Sequence, residues 1–270
     1  MEVCRLGGVA RWVQLRQAGV GWSELADDVG AGRLVRRARG IYAVPWAEEW
    51  QVAAVHWRAS LACVSAAAHY GLHVWHVPTA LHLSSPVNMR PADGSVVIHR
   101  ARVAYPAVVP PLRAMLEVAQ CLPAREALVV VESAVARRLV TRRELLGQAG
   151  RGSARLRAVA LRVDPQAQSP AETLARDALL RAGYRVRSQV PVPGVGHVDL
   201  EVDGVLLVEI DGRMHHSEAA AFEEDRRRGN AAAVGRRFLL RIPARWVLER
   251  PESVVNEVRR WFAVTDHHIP

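Results

Sequence analysis

Lysine is missing from all 270 residues, so the 36 basic side chains are all arginine. A Walker-type phosphate lysine, a Schiff base and any mechanism built on an ammonium group are thereby excluded. Cationic work falls to guanidinium, whose planar fork suits paired contacts with phosphate oxygens. Cysteine is scarce. Cys4, Cys63 and Cys121 are odd in number and far apart in the chain, which fits neither a disulfide framework nor a zinc site. Long apolar runs are missing as well: none approaches the roughly 20 residues of a membrane span. The opening Met1 to Arg5 lacks a signal peptide's basic and apolar regions. These absences lead us to expect a cytoplasmic protein with reduced thiols and no membrane partner.

Half of the residues are hydrophobic, enough for a sizeable core, and the length suits two or three domains. The net charge of +9 is unevenly spread: residues 1–165 hold 21 arginines against 12 acids, whereas residues 166–270 hold 15 of each. A basic first part fits the phosphate backbone of DNA. The plainer explanation is an arginine-rich composition.

Residues 1–46 read as a small winged helix. The pattern predicts a helix from Val9 to Ala18, a turn at Gly19–Trp22, and a second helix through Val29 capped by Ser23. Arg33 to Pro45 alternates like a hairpin with Gly40 near its return. Arg33, Arg36, Arg37 and Arg39 are candidate phosphate contacts, with a solvated basic hairpin as the alternative. Residues 50–163 read as a mainly helical middle domain. A helix is expected from Trp50 to Tyr70, strands at 81–83 and 96–99, and helices at 112–121, 124–139 and 141–148. His69, His73, His76 and His82 match no ligand spacing and read as core or surface histidines. Val163 to Pro170 is the clearest linker. Beyond it, residues 166–264 run helix, strand, hairpin, helix, strand, helix.

That hairpin carries the chemistry. Val198, Leu200 and Val202 alternate with Asp199 and Glu201; Leu206, Val208 and Ile210 alternate with Leu207, Glu209 and Asp211. Alternate strand residues share a face, so aligning the apolar faces gathers the acids on the other. A divalent cation is the usual way to hold such carboxylates together. A two-residue Asp203-Gly204 turn would put every acid on the side of its partner's apolar row. We therefore expect a three-residue loop, Val202-Asp203-Gly204, with Gly204 at positive φ, Glu201 opposite Val205 and Asp199 opposite Leu207.

Two stretches resemble known families. Leu34-Val35-Arg36-Arg37 and Arg39-Gly40-Ile41-Tyr42 resemble the winged-helix domain of AbiEi-type (abortive-infection, type IV) antitoxins. Ser169-Pro170-Ala171-Glu172, Gln189, Val198-Asp199, Glu209-Ile210-Asp211-Gly212, His215, and Asp225 to Arg228 with Asn230 stand in the order of the Vsr-like branch of the PD-(D/E)XK, or restriction-endonuclease-like, superfamily. The resemblance implies an α/β multidomain chain: an N-terminal winged helix, the helical middle domain, and a C-terminal restriction-endonuclease-like domain with a central mixed sheet. It implies Asp199, Glu209 and Glu172 as ligands of Mg²⁺ or Mn²⁺, and Gln189, Arg226 and Arg228 as substrate contacts. Asp211 stands where many superfamily members carry lysine. Vsr-like members lack that lysine and use a nearby histidine, which makes His215 or His216 the acid or water-positioning group.

The same residues have plainer readings. Ser169 to Glu172 is also a capping box with proline at N1, and Glu224 with Arg228 is an i,i+4 pair. The function expected is metal-dependent hydrolysis of DNA. The alternative is a non-catalytic DNA-binding regulator or antitoxin, partnered by a toxin or another phage-defence protein.

Overall fold

In the computed structural model, residues 1–88, 94–102, 107–149, 153–212 and 238–265 are described. They form a mixed α/β chain in two compact units, Met1–Leu122 and Pro123–Pro270. The division falls inside the segment 50–163 that reads in sequence as one mainly helical domain. Among the described residues, no helix is long and apolar enough to cross a membrane.

The first unit opens with α1 (Glu2–Arg5), β1 (Val9–Arg11), α2 (Trp12–Gln17), α3 (Trp22–Gly30), β2 (Val35–Ala38) and β3 (Ile41–Ala43). The expected first turn of a Val9–Ala18 helix is instead a strand, with Val9, Ala10 and Arg11 pairing antiparallel to Ala43, Tyr42 and Ile41. Helix periodicity fails here because Val9 and Ala10 are both fully buried on opposite sides of one strand. Ser23 does not cap α3; Gly21 holds that position with no side-chain bond. The basic hairpin forms as expected, with Gly40 at φ +71° between β2 and β3. The sheet order is β1-β3-β2. Val3, Ala10, Leu15, Leu25, Leu34, Tyr42 and Val44 pack together as its core.

The rest of this unit comprises α4 (Glu49–His56), β4 (Ser60–Leu61), α5 (Cys63–His69), β5 (Leu81–Ser85), β6 (Val96–Arg100) and α6 (Pro111–Cys121). The single helix expected over Trp50–Tyr70 is broken. Arg58 turns the chain at φ +53°, and Ser60 and Leu61 then pair with Ser84 and Leu83. The second sheet has the order β4-β5-β6, with β5 and β6 parallel.

The second unit begins with helices α7 (Ala124–Ala136), α8 (Arg142–Ala149), α9 (Ala154–Arg162) and α10 (Pro170–Arg181). Then come β7 (Val186–Val192), β8 (Gly196–Val202), β9 (Leu206–Asp211), β10 (Phe238–Pro243), α11 (Ala244–Glu249) and α12 (Glu252–Thr265). The sheet order is β10-β9-β8-β7, antiparallel except for the β9–β10 pair. The apolar face of α12 is buried as its spacing predicts, through Val254, Val255 and Val258.

Buried charge ties the helices of this unit together. Glu132 of α7, 1% exposed, accepts from Thr173 Oγ1 (2.7 Å), from the amide of Asp164 (2.8 Å) and from the Arg176 guanidinium. Asp177 of α10, also 1% exposed, is held by Arg125 Nε (3.1 Å), Arg181 Nε (2.9 Å) and Arg162. Burial, followed by the neighbouring Arg181, Arg176 and Arg125 charges, pushes the Arg162 guanidinium down to about 10.

Candidate functional site

The acidic hairpin has the expected parity and an unexpected register. The loop has three residues, but they are Asp203, Gly204 and Val205: Val202 faces Leu206, Glu201 faces Leu207 and Leu200 faces Val208. The expected pairings of Glu201 with Val205 and Asp199 with Leu207 are therefore each displaced by two residues. Asp203 and Gly204 both take positive φ, +50° and +79°, and the Val205 amide donates to the Val202 carbonyl. The Asp-Gly pair makes the tight turn that such a pair favours, and Val205 is the added residue that keeps the count odd. Parity survives a shift of two, so Leu200, Val202, Leu206, Val208 and Ile210 share one face, all buried, while Val198 packs with Val190, Val192 and Leu207.

The backbone ladder between β8 and β9 ends at Leu200–Val208. One step beyond it stand Asp199 and Glu209. Asp199 Oδ2 accepts the amide of Ile210 at 2.8 Å, a bond that a strand carbonyl would otherwise make. Its other oxygen, Oδ1, accepts from Gln189 Nε2 at 3.2 Å. The same nitrogen donates to Glu172 Oε2, also at 3.2 Å. One amide thus bridges carboxylates from a helix and a strand. Gln189 does this from φ +50° within β7, a conformation that residues with a Cβ rarely adopt and that clusters at functional sites.

Glu172 belongs to a helix cap and also stands next to the acidic hairpin. Ser169 Oγ accepts the Glu172 amide (3.1 Å), and Glu172 Oε2 accepts the amide of Gln168 (3.0 Å), so it belongs to the cap of α10. It is also 9% exposed and beside Asp199. Burial pushes its carboxyl up; hydrogen bonds from Gln168, Ser169 and Gln189 pull it down, while the Asp199 charge adds to the rise. Glu209 lies opposite Arg241 in the parallel β9–β10 ladder, with Oε2 3.2 Å from Nε. Glu201 is buried and bonded to Arg187 Nη1 at 3.0 Å. Asp211 is exposed at the end of β9. His215, His216, Arg226 and Arg228 lie outside the described residues, as does the helix expected at 217–234.

The four arginines of the basic hairpin divide into two kinds. Arg33 is paired with Asp28 at 2.6 Å, and Arg37 with Glu49. Arg36 and Arg39 are exposed, and among the described residues neither guanidinium has an ion-pair partner.

Among the described residues, no three acids, Glu172, Asp199 and Glu209 included, bring ligand atoms within 4.8 Å of one another. Another set does: Cys63, His82, His99 and Cys121. Sequence spacing gives no sign of it, because the four come from α5, β5, β6 and α6 with 16 or more residues between neighbours. The cysteines that look remote in sequence are brought together by the parallel β5–β6 pair and the flanking helices. Burial first, then His99, pushes the His82 imidazole down to about 4; burial, then Arg113, does the same to His99. No family model and no curated protein matches the chain.

Proposed function

We propose that this protein belongs, by class, to the DNA-binding proteins that carry a divalent-cation site in an α/β domain. Within that class its activity is hydrolysis of a DNA phosphodiester. The observation that carries the reading is the Gln189 amide set between the carboxylates of Glu172 and Asp199, where β8 and β9 part. Two like charges near one another in a partly buried site need a positive or donor group between them. A hard cation with oxygen ligands meets the same need, and a glutamine amide can turn its own oxygen toward it. The residues present therefore fit an ion held by Glu172 and Asp199, with Glu209 on the adjoining strand. A bound Mg²⁺ or Mn²⁺ supplies a water of lowered pKa and neutralises phosphate charge. The chain's own part is to hold the two carboxylates rigidly, through the α10 cap, the Gln189 bridge and the Ile210 amide. His215, Arg226 and Arg228 are the proposed proton-handling and phosphate-holding groups.

Calorimetric titration of Mg²⁺ and Mn²⁺ into the wild type and Asp199→Ala tests the ion site without a substrate. Heat of binding in the wild type, lost in the variant, is expected. Equal binding in both would remove the site from these residues.

Support for DNA as the partner comes from the arginine-rich β2–β3 hairpin, proposed as the wing of a winged helix. Each neutralised phosphate contributes about −0.9 to the slope of log K against log salt. The double variant Arg36→Ala/Arg39→Ala is expected to flatten that slope by about 1.8, read by fluorescence anisotropy across a salt series. Arg33 and Arg37 are already paired within the chain, so their replacement is expected to flatten it less. An unchanged slope in the Arg36/Arg39 variant would place DNA elsewhere.

A second reading, a non-catalytic regulator or antitoxin with a toxin or defence-system partner, is favoured by the Glu209–Arg241 pair. In that reading Arg241 balances the acid permanently, and the site is a framework.

A further inference from the structure

The first unit holds a group of side chains that neither the acidic site nor the basic hairpin uses. Cys63, the first residue of α5, is fully buried. His82 of β5 is 7% exposed, His99 of β6 is half-buried, and Cys121, the last residue of α6, reaches the surface. In the parallel register His82 lies opposite Val97, and Ser84 opposite His99. The two histidines therefore project from one face of the sheet. Their rings stack at 28° with centroids 5.3 Å apart, His82 Nδ1 lies 3.1 Å from His99 Nε2, and Cys121 Sγ lies 3.9 Å from His82 Nδ1. One ligand atom from each of the four residues falls within 4.8 Å of the other three.

A neighbouring carboxylate sets this arrangement. Glu117, one helical turn before Cys121 on α6, accepts the Cys63 amide (3.1 Å), the Ser84 hydroxyl (3.1 Å) and Arg113 Nε (2.8 Å). It thus ties α5, β5 and α6 to one another beside the four ligands. It also fixes Cys63 at φ +49°, a strained conformation for a residue with a Cβ.

From this geometry we infer a zinc site: Cys63 Sγ, His82 Nδ1, His99 Nε2 and Cys121 Sγ are the four ligands of one tetrahedral Zn²⁺. Two thiolates and two imidazoles are the donor set zinc prefers, and four protein ligands make a closed, structural centre. A tetrahedral centre with Zn–N near 2.0 Å and Zn–S near 2.3 Å spaces nitrogens about 3.3 Å apart and nitrogen from sulfur about 3.5 Å. The two distances given above, 3.1 and 3.9 Å, lie within a few tenths of these values. The charges close as well. Binding releases one proton from each thiol, and Zn²⁺ with two thiolates is neutral, so burying the centre leaves no net charge in the core. An oxygen-preferring Mg²⁺ finds no oxygen donor among the four, so this centre is separate in metal and in residues from the acidic site.

The test uses the whole chain, purified under reducing conditions and analysed for metal by mass spectrometry. One zinc per chain is expected in the wild type and in Asp199→Ala, and loss of it in Cys121→Ser, whose exposed position spares the core. Cobalt substitution gives a readout that needs no variant. A sulfur-to-cobalt charge-transfer band with tetrahedral ligand-field absorption is expected in the wild type. A reduced wild type that takes up no zinc, or a cobalt form without the sulfur band, would overturn the assignment. So would zinc that persists in Cys121→Ser and vanishes in Asp199→Ala, because that pattern puts the metal on the acidic hairpin.

Discussion

Asp199→Asn is expected to slow metal-dependent cleavage of DNA on the order of a thousandfold. The substitution keeps the shape of the side chain, and its carbonyl oxygen can still accept the Ile210 amide. What it removes is the charge. A bound ion contributes several kcal/mol to the transition state, and loss of about 4 kcal/mol corresponds to about three powers of ten in rate. Glu209→Gln is expected to act in the same direction, with the added effect of leaving Arg241 opposite a neutral side chain. Initial rates on duplex, nicked, mismatched and single-stranded DNA, each with Mg²⁺ and with Mn²⁺, provide the measurement. Cleavage that survives in both variants would assign the activity to another site or a contaminant. A wild type inert on every substrate would leave the regulator reading in possession of the fold.

The largest expected effect on stability belongs to Asp177→Ala. Its carboxylate, 1% exposed, is the shared partner of Arg125, Arg162 and Arg181, which arrive from α7, α9 and α10. Removing one partner of a buried pair costs about 3–5 kcal/mol because the remaining charge is left uncompensated. Here Arg162 loses its carboxylate while Arg125 keeps Glu252 and Arg181 is half exposed, so the lower part of that range is expected. Urea unfolding followed by far-ultraviolet circular dichroism checks it, with the loss appearing as a lower midpoint. Asp177→Asn retains the size of the side chain. If it proves as stable as the wild type, packing rather than charge holds α7, α9 and α10 together.

The sequence was legible where one local rule acted alone. Gly40 in the basic hairpin, the Ser169 cap with Pro170 behind it, the apolar face of α12 and the odd loop count of the acidic hairpin all follow from single residues and short periods. It was misread where a long-range pairing overrides a local preference. Val9 to Arg11 suit a helix, but β3 needs a neighbour and takes them as a strand. Ser60 and Leu61 sit within an apolar-periodic run, yet pairing with β5 interrupts it. The hairpin register moved by two because the Asp-Gly turn kept its preferred tight form and Val205 was added after it. The Gln189 bridge had only a partial signal. Gln189 was identifiable by its place in the motif order, but nothing local announces a glutamine at positive φ. The Cys/His centre had none, since its ligands meet only when two strands and two helices have been assembled.

The three-residue connection between β8 and β9 restricts how this hairpin can change over evolutionary time. Deleting Val205 alone, or inserting a single residue beside it, would turn β9 over, carrying Val208 and Ile210 to the side now held by Leu207, and Glu209 to the side of Leu200 and Val202. Changes of two residues preserve the side of every position. Length variation at this bend is therefore confined to steps of two, a rule of arithmetic that protects both the core and the acids without requiring any particular residue in the loop.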